Sequence, residues 1–263
     1  MYGLYTPEAL TFNPCTVLET SRFQDFRCQP IHCTSIGDST TTATWPATLP
    51  NPLSSSYPGP VEDSISRTMS HPKFVWNIDG SSNIRLQRAG CGGILRDEEM
   101  NCKTLFAERF DEVYTSSVTE VFAFFLAMKI TQSMIKEGKL PEQLRLEIRT
   151  DFQPLAMFIR GENNFSKPKE RDLAEKGYNI LSSLTTDWEA TQVTRSSNFV
   201  ADLLAGNAHE LGNITYDNLP EIIENEIENE KISDWDESER TYEYMYQKKT
   251  ELKERLGEPV EMK

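Results

Sequence analysis

The chain has 263 residues, room for one domain with tails or for two small domains. Apolar residues make up 38% and concentrate between Phe74 and Leu211, so one core of about 140 residues is expected, large enough to stand without disulfides. The odd number of cysteines (Cys15, Cys28, Cys33, Cys91 and Cys102) does not suit a secreted disulfide framework; no apolar run is read as a membrane span and no basic-then-apolar start as a secretory signal, so a nuclear or cytoplasmic location is the default.

The net charge of −14 argues against a nucleic-acid partner until it is divided. Residues 1–70 carry −3, residues 71–213 carry −3, and residues 214–263 carry −8. The acidity therefore belongs mostly to the C-terminal segment. Residues 1–70 contain a Ser/Thr/Pro-rich stretch with no apolar period and are expected to be a disordered tail. Cys28, His32 and Cys33 could form half of a zinc site, but no second pair at finger spacing follows, and solvated side chains are the expected reading.

From Lys73 the pattern changes. KFVWNID alternates and is rich in strand formers, with GSS as its expected break; AGCGGILRD predicts a second strand and CKTLFAERFDEV a third. SSVTEVFAFFLAMKITQSMIKEG predicts a helix that is apolar on nearly every side, hence buried between layers, and closed by Gly138. LRLEIRT is a fourth strand ending at Asp151, followed by a short helix, QPLAMFIRG. PKERDLAEKGYNILSSL is an amphipathic helix, WEATQVTR a fifth strand, and NFVADLLAGNAHELG a last helix ending at Gly212. The expected domain spans residues 71–213, with a mixed sheet and helices on its faces.

The segment 214–263 predicts an acidic, helical tail. Leu219, Ile222, Ile223 and Ile227 share one helical face, and a second helix carries Tyr242, Met245, Tyr246, Leu252 and Leu256. Both faces are narrow, so solvated acidic helices are expected, with docking to the core or to a protein partner as the alternative.

Four carboxylates draw attention. Singly, each has an ordinary explanation: Glu120 in the box Ser117-Val118-Thr119-Glu120, Asp151 as an N-cap, Asp202 at the negative-preferring start of a helix, and Asp79 before a turn at Gly80. Together they are harder to dismiss. Asp79 and Asp151 each end a strand, and if those strands are neighbours both side chains sit at one rim of the sheet. Oxygen donors of this kind select Mg²⁺ or Mn²⁺, and two ions about 4 Å apart would clamp one phosphate.

These segments, in this order, resemble ribonuclease H type 1, in particular the plant version associated with non-LTR retroelements. WNIDGSS with AGCGGILRD, VTEVFAFFLAMKI, LEIRTD and VTRSSNFVADLLA are similar to the family's successive motifs, over about residues 73–212. The resemblance implies a five-stranded mixed sheet, with three antiparallel strands followed by parallel additions. It implies two Mg²⁺ (or Mn²⁺) ions held by Asp79, Glu120, Asp151 and Asp202, and hydrolysis of the RNA strand of RNA/DNA hybrids. Ser81, Ser82, Gly92, Arg195 and Asn198 are the expected substrate-contacting residues, the serines through 2′-hydroxyls. Two departures bear on activity: the segment Gln192–Ser197 lacks the histidine of many active relatives, which points to slow turnover, and only Lys167, Lys169 and Arg171 offer a basic handle, which points to weak substrate affinity and whose ordinary reading is a solvated helix start. The alternative function is a catalytically weak or inactive nucleic-acid-binding module derived from a retroelement. A partner-binding scaffold and another nuclease on the same fold are further readings. The 70 residues upstream are too few for a reverse transcriptase, so a retroelement ancestor would make this chain a detached piece; a monomer without a membrane partner completes the reading.

Overall fold

Along the first strand, alternate side chains serve opposite layers. The indole N–H of Trp76 donates to Thr131 Oγ1, 2.9 Å away on the central helix. The next side chain, Asn77, faces the other way and bonds Asn198 at 3.1 Å, just before the last core helix. This two-residue period explains why a sheet with helices on both faces buries seven consecutive residues of the strand, Phe74–Gly80.

The computed structural model describes residues 71–211, 219–231 and 241–257. The element order is β1 (Lys73–Asn83), β2 (Arg88–Arg96), β3 (Cys102–Phe110), α1 (Ser116–Lys136), β4 (Arg145–Thr150), α2 (Gln153–Ile159), α3 (Pro168–Leu184), β5 (Trp188–Gln192), a 3₁₀ turn (Ser196–Asn198), α4 (Phe199–Gly206), α5 (Ala208–Leu211), α6 (Glu221–Asn229) and α7 (Tyr242–Arg255). The strands lie in the order β3-β2-β1-β4-β5. β1, β2 and β3 pair antiparallel, and β4 and β5 add in parallel. This is the five-stranded mixed sheet expected from the sequence, three antiparallel strands followed by parallel additions. The expectations for residues 1–70, including Cys28, His32 and Cys33, and for the helix stop at Gly212 lie outside the described residues.

Three local expectations change. β1 does not stop at Asp79 but continues through Gly80, Ser81 and Ser82 to Asn83, because β2 keeps pairing with it as far as Asn83↔Arg88. The turn comes later, where the Asn83 side chain accepts from the N–H groups of Arg85 and Leu86. The last predicted helix divides at Asn207, whose side-chain amide donates to the Leu203 carbonyl and ends α4. Finally, α1 does have the length and hydropathy of a membrane span, yet it is a core helix, mostly buried between the sheet and α3. Gly177 makes the α1–α3 contact possible, because a Cβ there would lie 2.7 Å from the Phe124 ring.

The C-terminal helices overturn the expectation of solvated acidic helices. Ile222, Ile223 and Ile227 of α6 and Leu252 of α7 are buried in one apolar cluster with Ile94, Phe199 and Leu203. Glu230 at the end of α6 pairs with the buried Arg96 of β2, which also donates to Asn77 Oδ1 at 3.2 Å. The narrow apolar stripes are therefore wide enough to close the α4 side of the core, while Glu221, Glu224 and Glu228 of α6 and Glu243 and Glu254 of α7 stay exposed.

Candidate metal centre at the sheet rim

Parallel pairing of β1 with β4 runs from Lys73↔Arg145 to Asn77↔Arg149. Continuing that register by two residues sets Asp151 beside Asp79. Here β4 has ended and β1 has lost its parallel neighbour, which leaves a notch in the sheet rim between the two residues. Opposite, Asp79 still pairs with Gly92 of β2.

Glu120 enters the notch from the second turn of α1. The predicted capping box does not form: Thr115 is the N-cap, without a side-chain cap bond. The Glu120 carboxylate instead accepts from the Gly80 N–H. Gly80 permits this approach, since a Cβ there would lie 2.2 Å from the Glu120 backbone nitrogen. Asp151 follows β4 directly, with Thr150 Oγ1 accepting from the Phe152 N–H at 3.1 Å.

Asp79, Glu120 and Asp151 thus bring carboxylate oxygens within 4.8 Å of one another. Asp79 and Glu120 are buried, 3% and 4% exposed, and Asp79 Oδ1 and Glu120 Oε2 have no hydrogen-bond partner among the described residues. Burial pushes the Asp79 carboxyl well above the usual carboxylate range, and the charges of Glu120, Asp202 and Asp151 push it further. Burial likewise raises Glu120, helped by Asp151 and opposed by the Gly80 N–H. Buried like charges with orphaned oxygens are what a hard divalent cation would relieve, and an all-carboxylate donor set fits Mg²⁺ or Mn²⁺.

Asp202 lies in the first turn of α4, close enough for its charge to act on Asp79 and Glu120, but it stands outside the tight group of three. Its carboxylate is ion-paired with Lys249 of α7. On the other side Arg195 Nε donates to Asp151 Oδ2 at 3.1 Å while its side chain stays 66% exposed.

The expected substrate-contacting residues divide. Ser81 is half-buried on β1 beyond the notch, and Ser82 donates to the Tyr114 carbonyl at 2.5 Å, tying the hairpin to the start of α1. Gly92 is buried beneath α4, where a Cβ would meet the Ala205 backbone nitrogen at 2.5 Å. Asn198 is 1% exposed and its amide donates to the Ile78 carbonyl at 2.8 Å, so it fixes the turn that carries Arg195 onto β1. Of the basic handle, Lys167 pairs with buried Glu170, which also accepts from Ser117, and Lys169 Nζ stands 4.0 Å over the Tyr114 ring.

The sequence reading missed Lys249. Its signal was present: Met245, Leu252 and Leu256 leave a gap in the apolar stripe, and Lys249 fills it. Asn77 and Arg96 were also missed as a pair, since only the sheet pairing brings β1 and β2 together.

No curated protein matches the chain. Among solved structures it is similar to ribonuclease H1 from Halobacterium salinarum NRC-1, at 21% identity and a TM-score of 0.45, over 52% of this chain and 98% of that one. It is similar to an N-terminal ribonuclease H domain from Mycobacterium tuberculosis, at 19% identity and a TM-score of 0.45, over 52% and 93%. A third is LC11-ribonuclease H1 in complex with an RNA/DNA hybrid, at 19% identity and a TM-score of 0.45, over 51% and 94%. A family model described as reverse transcriptase-like matches residues 77–208, half of the chain and the part that carries all four acids. With half of its length matched, the chain belongs to the reverse transcriptase-like family.

Proposed function

We propose that this protein is a divalent-metal-dependent endonuclease that hydrolyses the RNA strand of RNA/DNA hybrids. The observation that carries the proposal is the notch: three carboxylates within 4.8 Å, two of them buried with unpartnered oxygens. A structural role for so costly a group of like charges is hard to supply, whereas cations would offset it.

Asp79, Glu120 and Asp151 would hold the first ion, and Asp79 with Asp202 the second. Bound Mg²⁺ or Mn²⁺ supplies activation of a water for attack at phosphorus and counter-charge for the departing 3′ oxygen. The chain's own residues do the rest. The Gly80 N–H fixes the orientation of Glu120. Arg195, largely exposed, can turn from Asp151 towards a phosphate, as a planar guanidinium suits. Ser81 and Ser82 flank the notch on β1; the Ser82 hydroxyl, already donating to Tyr114, retains lone pairs that can accept from a 2′-hydroxyl. Gly92 and Asn198 act as positioning residues, setting α4 and the Arg195 turn against the sheet. Lys167 and Lys169 offer charge to the backbone of the substrate.

The test uses the full chain, a labelled hybrid, and Mg²⁺ or Mn²⁺. The parent should cut the RNA strand, and Asp79→Asn or Asp151→Asn should abolish cutting. Variants that cut like the parent would remove the assignment. Binding of hybrid without metal-dependent cutting would favour the alternative, a catalytically weak nucleic-acid-binding module. The cations already resting on Asp151 and Asp202 are the observation on its side.

A further inference from the structure

We propose that Lys249 is an internal competitor for the second divalent ion, so that the resting chain takes up one ion readily and a second only when the Lys249 ammonium leaves Asp202. The inference rests on the metal-site reading above and adds to it a limit on occupancy set by the C-terminal segment.

The contact is built into the packing. Leu252 of α7 is fully buried in the apolar cluster that also holds the α6 isoleucines and Phe199 and Leu203 of α4. Lys249 lies three residues earlier, on the same helical face, which aims it at the start of α4. Two further contacts hold α7 on α6: Arg255 Nη1 pairs with Glu221 at 2.8 Å, and the Tyr244 hydroxyl donates to Glu226. α6 in turn is pinned to the sheet by Glu230 and Arg96. Lys249 is thus delivered to Asp202 by a buried apolar anchor and not by a chance meeting of surface chains. The Asp202 side chain is only 13% exposed, so little water competes for it.

Asp202 has one carboxylate to give. It lies near Asp79, whose carboxyl feels its charge, but outside the group of three acids whose oxygens all lie within 4.8 Å of one another. The first ion position therefore needs nothing from α7. The second needs Asp202, and a single positive charge already neutralises it. The lysine stem is flexible, so the ammonium can swing out while α7 stays docked through Leu252.

Titration of the full chain with Mn²⁺ alone, read by calorimetry or by the loss of the free-ion electron paramagnetic resonance signal, counts ions without any reaction. Lys249→Met keeps the stem and removes the charge. Lys248→Met is the control, because Lys248 lies one residue away and pairs with Glu251 instead. The parent should bind one Mn²⁺ and a second at least tenfold more weakly. Lys249→Met should tighten the second step by about tenfold, because the ion no longer has to displace an ammonium from the part-buried Asp202 carboxylate, while Lys248→Met should change it less than about twofold. Asp202→Asn should remove the second step in either background. Equal second-ion affinity in the parent and Lys249→Met, or an equal gain from Lys248→Met, would overturn the competitor role and leave the metal site standing. No Mn²⁺ uptake by any of the five proteins would overturn the metal-site reading, and this inference with it. Thermal melts of all variants in chelator confirm that each is folded.

Discussion

Gly80 and Glu120 meet backbone to backbone: a Cβ on residue 80 would stand 2.2 Å from the Glu120 nitrogen and 2.4 Å from the Thr119 carbonyl carbon. The neighbouring atoms are main chain and cannot rotate away. The glycine is therefore what lets the second turn of α1 lie on β1 and bring a third carboxylate to Asp79. Gly80→Ala should force the helix outward, costing about 1–3 kcal/mol or somewhat more and weakening Mn²⁺ uptake. Gly206→Ala is the control, since a Cβ there meets nothing within 4 Å and the change should be neutral or slightly stabilising. Paired melts and Mn²⁺ titrations of the two variants check this; similar behaviour of both would contradict it.

Asp79 should be a stability liability in the absence of metal. Burial and three neighbouring carboxylates raise its carboxyl pKa in the folded state. A carboxyl raised on folding costs stability once the pH passes its unfolded value, and the cost grows up to the folded value. Asp79→Asn should therefore melt higher than the parent at pH 8 in chelator. Adding Mg²⁺ should then stabilise the parent and leave the variant nearly unchanged. A variant that melts lower in chelator would show that the carboxylate is structurally required.

Glu147 works in the opposite direction. Burial would raise its carboxyl, but Arg149 and Lys73 outweigh burial and bring it down to about 2 from 4.5. Arg149 Nε lies 2.6 Å from one oxygen and Lys73 Nζ 2.7 Å from the other. The stabilisation is present above the unfolded value and is lost as the pH falls from about 4.5 to about 2, amounting to about 3 kcal/mol. Glu147→Gln should flatten that part of the acid-unfolding profile. An unchanged profile below pH 4.5 would count against the pair of contacts.

The C-terminal helices should melt with the domain. Ile223 is fully buried beside Phe199 and Leu203, so Ile223→Ala should cost about 2–5 kcal/mol. Glu224, exposed on the outer side of the same helix, should tolerate alanine within about 0.5 kcal/mol. The readout is a single melting transition that moves down for Ile223→Ala alone. A transition confined to the tail, with the rest unmoved, would show that α6 is not part of the core.

Much of this was legible in the sequence. Alternation in KFVWNID, the all-round apolar face of the helix containing Val121 and Phe124, and the glycines of AGCGGILRD each reflect local requirements: a period, a buried face, or space for a neighbour. Those requirements act within a few residues, so the elements and their order could be read from the chain. Asp79, Glu120 and Asp151 were also identifiable, because each stands beside such a local signal.

The sequence could not decide how far each element runs or what lies against it. β1 passes its apparent stop at Gly80 because β2 goes on supplying hydrogen-bond partners, and a partner strand is not written in β1 itself. The acidic α6 and α7 read as solvated because narrow apolar stripes suffice only where α4 offers a complementary surface. Lys249 is the sharpest case: within its helix it is one base in an apolar stripe, and only packing through Leu252 turns it onto Asp202. Local composition settled which residues could bear the chemistry. Long-range packing settled which charges they meet, because Coulomb and desolvation energies depend on distances through space that spacing along the chain does not specify.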